Sequence, residues 1–183
     1  MAAPPDARPH LGEPLALDLL NTEWVHEGHP VDFFDDLAGV QTWLATNGLT
    51  ARPTGALRDH LVEARAAVRG VATDRADPRA RHRLNQVLSH GRMRLRLDDG
   101  GKITRTVDAD DPAWSPAVAA AVDLLDLLQT RPDRIRRCDH PRCVLWFLDT
   151  SRNGTRRWHS MATCGNRAKA QRHYSRTRAA GEG

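Results

Sequence analysis

The 183-residue sequence predicts an α+β fold: a mainly helical N-terminal body carrying one β-hairpin, followed by a small C-terminal module with little core of its own. Three observations carry that expectation. Apolar residues recur at helical spacing in four stretches between Phe33 and Gln129. The period drops to two from Arg92 onward, as in a strand pair. All three cysteines, Cys138, Cys143 and Cys164, fall in the last third of the chain.

Residues 1–13 are proline-rich and expected to be flexible. The run Leu15-Ala16-Leu17-Asp18-Leu19-Leu20-Asn21-Thr22 fits either a buried strand or a short helix, because periodicity does not separate the two at this length. Asp32 is the expected N-cap of a helix from Phe33 to Thr46, with Phe33, Leu37, Val40 and Leu44 as its stripe and Asn47-Gly48 as its stop. A second helix runs from Gly55 to Val71 on Leu57, Leu61, Ala64, Val68 and Val71. A third starts with Pro78 at its first position and ends at Ser89, presenting Leu84, Val87 and Leu88.

Met93, Leu95 and Leu97 then alternate with Arg92, Arg94 and Arg96, the pattern of a half-buried strand. Asp98-Asp99-Gly100-Gly101 turns the chain, and Lys102 to Val107 returns beside it. Ser115-Pro116 supplies an N-cap and a first-turn proline for a helix to Gln129, with Val118, Val122, Leu125 and Leu128 buried. Pro132 stops it. The expected organisation is a flexible start over 1–13, a body over 14–131, a module over 132–178 and a short tail over 179–183.

Charge divides along the same line. From Arg131 onward, 13 Lys and Arg face four acidic residues, a net +9; the first 130 residues carry 14 basic and 19 acidic side chains, a net −5. An acidic body joined to a basic module points to a polyanion partner. No apolar run approaches the roughly 18 residues of a membrane span, and residues 1–6 lack the basic flank and apolar stretch of a signal peptide. A cytoplasmic protein without a membrane partner is therefore expected; self-association is left open. No phosphate loop, nucleophile elbow or paired-histidine metalloprotease motif is present, so an enzyme is not expected.

An odd number of cysteines clustered in a cytosolic chain argues against a disulfide framework and for a metal. Cys138 and Cys143 are separated by four residues, and His159 and Cys164 repeat that spacing. Two close pairs on a longer connector supply the four corners of a tetrahedral site. Thiolate and imidazole suit Zn²⁺, at roughly 2.3 and 2.0–2.1 Å. His140 and His173 are the alternative fourth donors. In the connector, Val144 to Leu148 reads as a strand, Thr150 to Gly154 as a turn and Arg156-Arg157-Trp158 as a returning strand, with a helix from Gly165 to Arg178. That order resembles a treble-clef-like zinc finger, which at such a length depends on its ion for folding.

Cys164-Gly165-Asn166-Arg167 resembles the signature tetrad of the CGNR zinc-finger family. The Cys138/Cys143 pair, the stretch from Trp146 to Asn153 and the Arg157-Trp158-x-Ser160-Met161 lead-in are similar as well. Leu15 to Thr22 resembles the opening of the ABATE domain that typically precedes this finger. The resemblance implies a bacterial, stress-related transcription regulator whose finger binds DNA and whose N-terminal domain senses an effector. It assigns Cys138, Cys143 and Cys164 as ligands; His159 stands where the family usually has a cysteine, leaving a Cys3His site.

On a helix turning about 100° per residue, Lys169, Arg172 and Arg176 fall within an arc of roughly 60°. With Arg152, Arg156 and Arg157 they are the expected phosphate contacts, which set affinity and register. Asn166, Gln171 and Arg172 are candidates for base contact. Arg167 fits either a phosphate contact or a cap on carbonyl groups inside the fold. Two rival readings accompany DNA binding. In one, Asp18, Asn21, Thr22 and Trp24 line a small-molecule effector pocket and the finger is a structural brace or a protein-docking surface. In the other, Trp146, Phe147, Trp158 and Tyr174 stack on unpaired RNA bases.

Overall fold

The run after Pro14 folds as a helix, α1 (Leu15–Leu20), in a computed structural model that describes residue 6 and residues 8–170. Its side chains from Ala16 to Leu20 are all buried, which is why the stretch shows no polar face. A hairpin absent from the sequence expectations follows, β1 (Glu23–His26) against β2 (His29–Asp32), with Trp24 opposite Val31. Its two-residue turn, Glu27-Gly28, has φ of 50° and 89°, the left-handed pair that a tight hairpin turn demands.

The next helix, α2 (Leu37–Thr46), begins four residues later than expected. Asp36 is its N-cap, accepting from the Gly39 N–H at 2.8 Å. Asp32 is occupied elsewhere: it accepts from the Phe34 N–H at 2.9 Å and pairs with Arg65. Phe33 is therefore outside the helix. Helices α3 (Gly55–Thr73) and α4 (Pro78–Ser89) start as expected, capped by Thr54 and Asp77.

The fifth helix, α5 (Ser115–Thr130), corrects two expectations. Ser115 is its first helical residue rather than its cap, because a single 3₁₀ turn, Pro112–Trp114, precedes it and takes its cap from Asp111. Its buried residues include Leu124 and Leu127, while Leu125 is exposed. The helix packs on α1, α3 and α4 together, so one narrow stripe does not describe it. Trp114, at the mouth of α5, lies between two imidazoles, His60 at 3.9 Å and His90 at 3.7 Å between ring centres.

Strands β3 (Gly91–Leu97) and β4 (Ile103–Ala109) form the expected second hairpin, with Met93 opposite Val107 and Leu97 opposite Ile103. Its base is half-buried: Val107 and Ala109 pack against the core. Toward the tip the expectation fails, since Leu95, Leu97 and Ile103 are 64%, 65% and 67% exposed. Among the described residues, no helix is long and apolar enough to cross a membrane.

The C-terminal module is a third hairpin, β5 (Ile135–Arg137) against β6 (Trp146–Leu148), with Arg137 opposite Trp146. The expected returning strand at Arg156-Arg157-Trp158 does not form. Strand β5 is the partner of β6, and Asp149 folds the following loop on itself by accepting from the Ser151 and Arg156 N–H groups at 2.9 and 3.0 Å. The module, expected to have little core of its own, shares that of the body: Trp146 and Leu148 belong to the same buried cluster as the helices.

Asn21, at the end of α1, fastens the two parts. Its Nδ2 donates to the Trp146 carbonyl at 3.0 Å and its Oδ1 accepts from the Trp146 N–H at 2.8 Å. Glu13 adds a third tie, accepting from the Leu148 N–H at 2.7 Å. An Asn21→Ala variant leaves both backbone groups of Trp146 buried and unpaired, which costs about 2–3 kcal/mol and lowers the melting temperature by about 5–10 °C. An unchanged melting curve would show that the clamp holds nothing.

Candidate metal centre

The site is assembled from two backbone devices. The first is the loop between β5 and β6, where the Cys138 N–H donates to the Leu145 carbonyl and the Cys143 N–H to the His140 carbonyl, each at 2.9 Å. These bonds turn both sulfurs to the same side. The second is a π-helical turn, Met161–Gly165, that carries Cys164 and leads into helical residues 166–170. Ser160 caps that turn by accepting from the Thr163 N–H at 3.3 Å.

Between the two devices, residues 149–158 place His159. Arg134 lies along Gly154, whose φ of 63° strains any side chain there and where an added Cβ would come within 2.6 Å of the guanidinium and push it aside. Arg156 donates through Nε to the Trp158 carbonyl at 2.9 Å and through its terminal nitrogen to the His159 carbonyl. Its guanidinium also lies over the Phe147 ring at 4.8 Å. The backbone that presents the histidine is thus held from its outer side.

Cys138, Cys143, His159 and Cys164 converge, with all four ligand atoms within 4.8 Å of one another. Cys143 is half-buried as a whole residue, but its ligand atom is enclosed with the others. The Cys143 Sγ to His159 Nδ1 distance is 3.6 Å. A tetrahedron with metal–sulfur and metal–nitrogen bonds of about 2.3 and 2.05 Å has an S···N edge of about 3.6 Å. The donor set therefore fits one ion. His140 does not converge with these donors, and its Nδ1 accepts from the Arg142 N–H within the loop; His173 lies outside the described residues.

The protonation of the cluster leads to the same conclusion. Cys138 is held well below the ordinary thiol range by the hydrogen bond from Cys143 and then by His159. Cys143 is pushed up by that same contact, and Cys164 by burial and by the charge on Cys138. Three thiols so close cannot ionise together unaided, and a divalent cation removes the conflict by stabilising three thiolates at once.

Residues 13–130 match the family model ABATE, described as "Putative stress-induced transcription regulator". The chain belongs to the ABATE family. Residues 134–177 of this ABATE protein match the CGNR zinc-finger model, and the Cys3His cluster falls inside that span. No curated protein matches the chain.

The basic residues of the finger divide into two groups. Arg156 is turned inward as the brace described above, so the phosphate role expected of it is already displaced by a structural one. Arg157 pairs with Asp139 at 2.6 Å and lies over Trp158. Arg152, Arg167 and Lys169 are exposed and make no hydrogen bond or ion pair through their side chains among the described residues. Asn166 is exposed, its Nδ2 3.4 Å from the Ala162 carbonyl. Gln171, Arg172 and Arg176 lie outside the described residues.

The residues expected to line an effector pocket are consumed by the fold instead. Asp18 pairs with Arg8 at 2.5 Å and accepts from Asn47, Asn21 clamps Trp146, and Thr22 bonds the Leu19 carbonyl and Arg65. Trp24 is half-buried against Phe33. Sequence reasoning assigned no role to Asp149 or Arg134, which shape the loop that presents His159. The Asp149-x-Ser151 spacing, typical of a side chain that bonds the backbone two residues on, was the one signal available.

Proposed function

We propose that this protein is a cytoplasmic, zinc-dependent DNA-binding transcription regulator, with a DNA-facing module over 132–178 and a body over 14–131. One observation carries the reading: Arg152, Arg167 and Lys169, exposed and without partners among the described residues, are displayed on the module that holds the Cys3His cluster. Three thiolates and one imidazole in tetrahedral reach favour Zn²⁺ over the harder divalent ions. All four positions of such a site belong to the protein, which leaves none for a substrate, so the metal is structural and the chain acts by binding rather than by catalysis.

With five or six phosphates neutralised, the logarithm of the binding constant falls against the logarithm of salt concentration with a slope of roughly −5. The double variant Arg152→Ala, Lys169→Ala weakens binding to all sequences alike and makes the slope shallower by about 2. Fluorescence anisotropy on duplex DNA over a salt series measures both. A slope near zero for the unaltered protein removes nucleic acid from the account.

A further inference from the structure

One cleft lies wholly in the body and takes no residue from the finger. It encloses about 820 Å³ between α5, the β3–β4 hairpin and the loop that precedes α3. That size suits a small organic molecule, since such sites run to roughly 300–1,000 Å³. Leu49, Leu57, Met93, Val107 and Val122 give it apolar walls.

Two acids one turn apart on α5, Asp123 and Asp126, also line the cleft, and they differ in one respect. Asp126 is paired with Arg105 across the cleft wall. Asp123 has no cation among the described residues: its sole hydrogen bond is from the Ala16 N–H to Oδ2 at 2.8 Å. Burial and the neighbouring Asp126 both disfavour its charged form. A half-buried carboxylate beside a second acid is costly to keep, and a cation delivered from outside relieves that cost.

We propose that the cleft binds a small organic amine in its protonated form, with the apolar part against Leu57, Met93 and Val107 and the ammonium on Asp123. Arg52, exposed in the cleft lining and without an acidic partner among the described residues, offers the opposite preference, for an anion, and the experiment separates the two.

Three probes of matched shape are titrated into the metal-loaded full chain at neutral pH by calorimetry: phenylbutylamine, phenylbutanol and phenylbutyrate. The amine binds saturably and at least about ten-fold tighter than the alcohol, the margin a charge-assisted hydrogen bond supplies. Asp123→Asn keeps an acceptor for the Ala16 N–H, removes the charge and erases that margin, while Arg52→Ala leaves it. Equal affinity for amine and alcohol, tighter binding of the butyrate, no binding of the amine, or an unchanged margin in Asp123→Asn each overturns the proposal. The amine–alcohol comparison is made on the unaltered protein, so it decides even where the variant fails to fold.

Discussion

Replacing Cys164 with alanine abolishes metal retention and unfolds the finger. The remaining donors, Cys138, Cys143 and His159, close only three corners of the tetrahedron. A structural zinc contributes an apparent ~10–16 kcal/mol to a finger of this kind, so loss of one ligand removes orders of magnitude in affinity. The damage does not stop at the finger: Trp146 and Leu148 are part of the body's core, and their release opens that core to water. Elemental analysis reads the metal content, and circular dichroism with and without a chelator reads the fold. Chelation of the unaltered protein reproduces the variant's spectrum. A variant that still carries one zinc per chain at wild-type affinity would mean that the cluster is not the metal site.

Arg65→Ala is the second large effect. This arginine sits in the middle of α3, buried, and reaches both strands of the β1–β2 hairpin and the turn before it. It bonds both oxygens of Asp32 at 2.7 and 2.5 Å, the Thr22 hydroxyl at 2.8 Å and Glu23 at 3.1 Å. Its removal leaves the half-buried carboxylates of Asp32 and Glu23 without this cation, at a cost of about 2–3 kcal/mol, or roughly 5–10 °C in melting temperature.

The loss depends on pH. Burial pushes the Asp32 carboxyl up, but hydrogen bonds from Arg65 and the Phe34 N–H, with the charges of Arg65 and Arg69, bring it below its ordinary value. A carboxylate whose folded value is depressed adds stability in full above its unfolded value of ~3.9, and that contribution disappears as pH falls through the folded value. Urea unfolding therefore shows a wide gap between wild type and variant at neutral pH and a narrower one in strong acid. A gap of the same width at both pH values would mean that Asp32 is not the partner that matters.

Features set by local chemistry were legible in the sequence. The three cysteines announce themselves by clustering and spacing, while His159 stands beside His140 and His173 as candidate fourth donor until the cluster is seen; Pro78 marks the start of α4. What escaped depends on contacts between distant residues. Asp32 and Asp36 both precede apolar positions and both suit an N-cap; Arg65, far along the chain, draws Asp32 away and leaves the cap to Asp36. The β1–β2 hairpin carries a proline and two histidines, shows no alternation, and is held by ion pairs of Glu23 and Asp32 to α3. Strand β5 reads Ile-Arg-Arg, with no strand pattern, and exists because β6 supplies its ladder. Asn21 looks like a turn residue until Trp146, 125 positions later, is seen against it.

That clamp bears on how the molecule would meet the nucleic acid proposed as its partner. A finger on a loose tether would present its charge in any direction, but here the two parts share one core and three direct ties. Among the described residues, the body up to residue 130 carries a net −5, and residues 131–170, with ten Lys and Arg against three acids, carry a net +7, so charges of opposite sign are held on two parts that are tied together. In the field of a polyanion such a body experiences a torque, so it arrives already turned with its basic end forward, and encounters in the wrong orientation are repelled before contact.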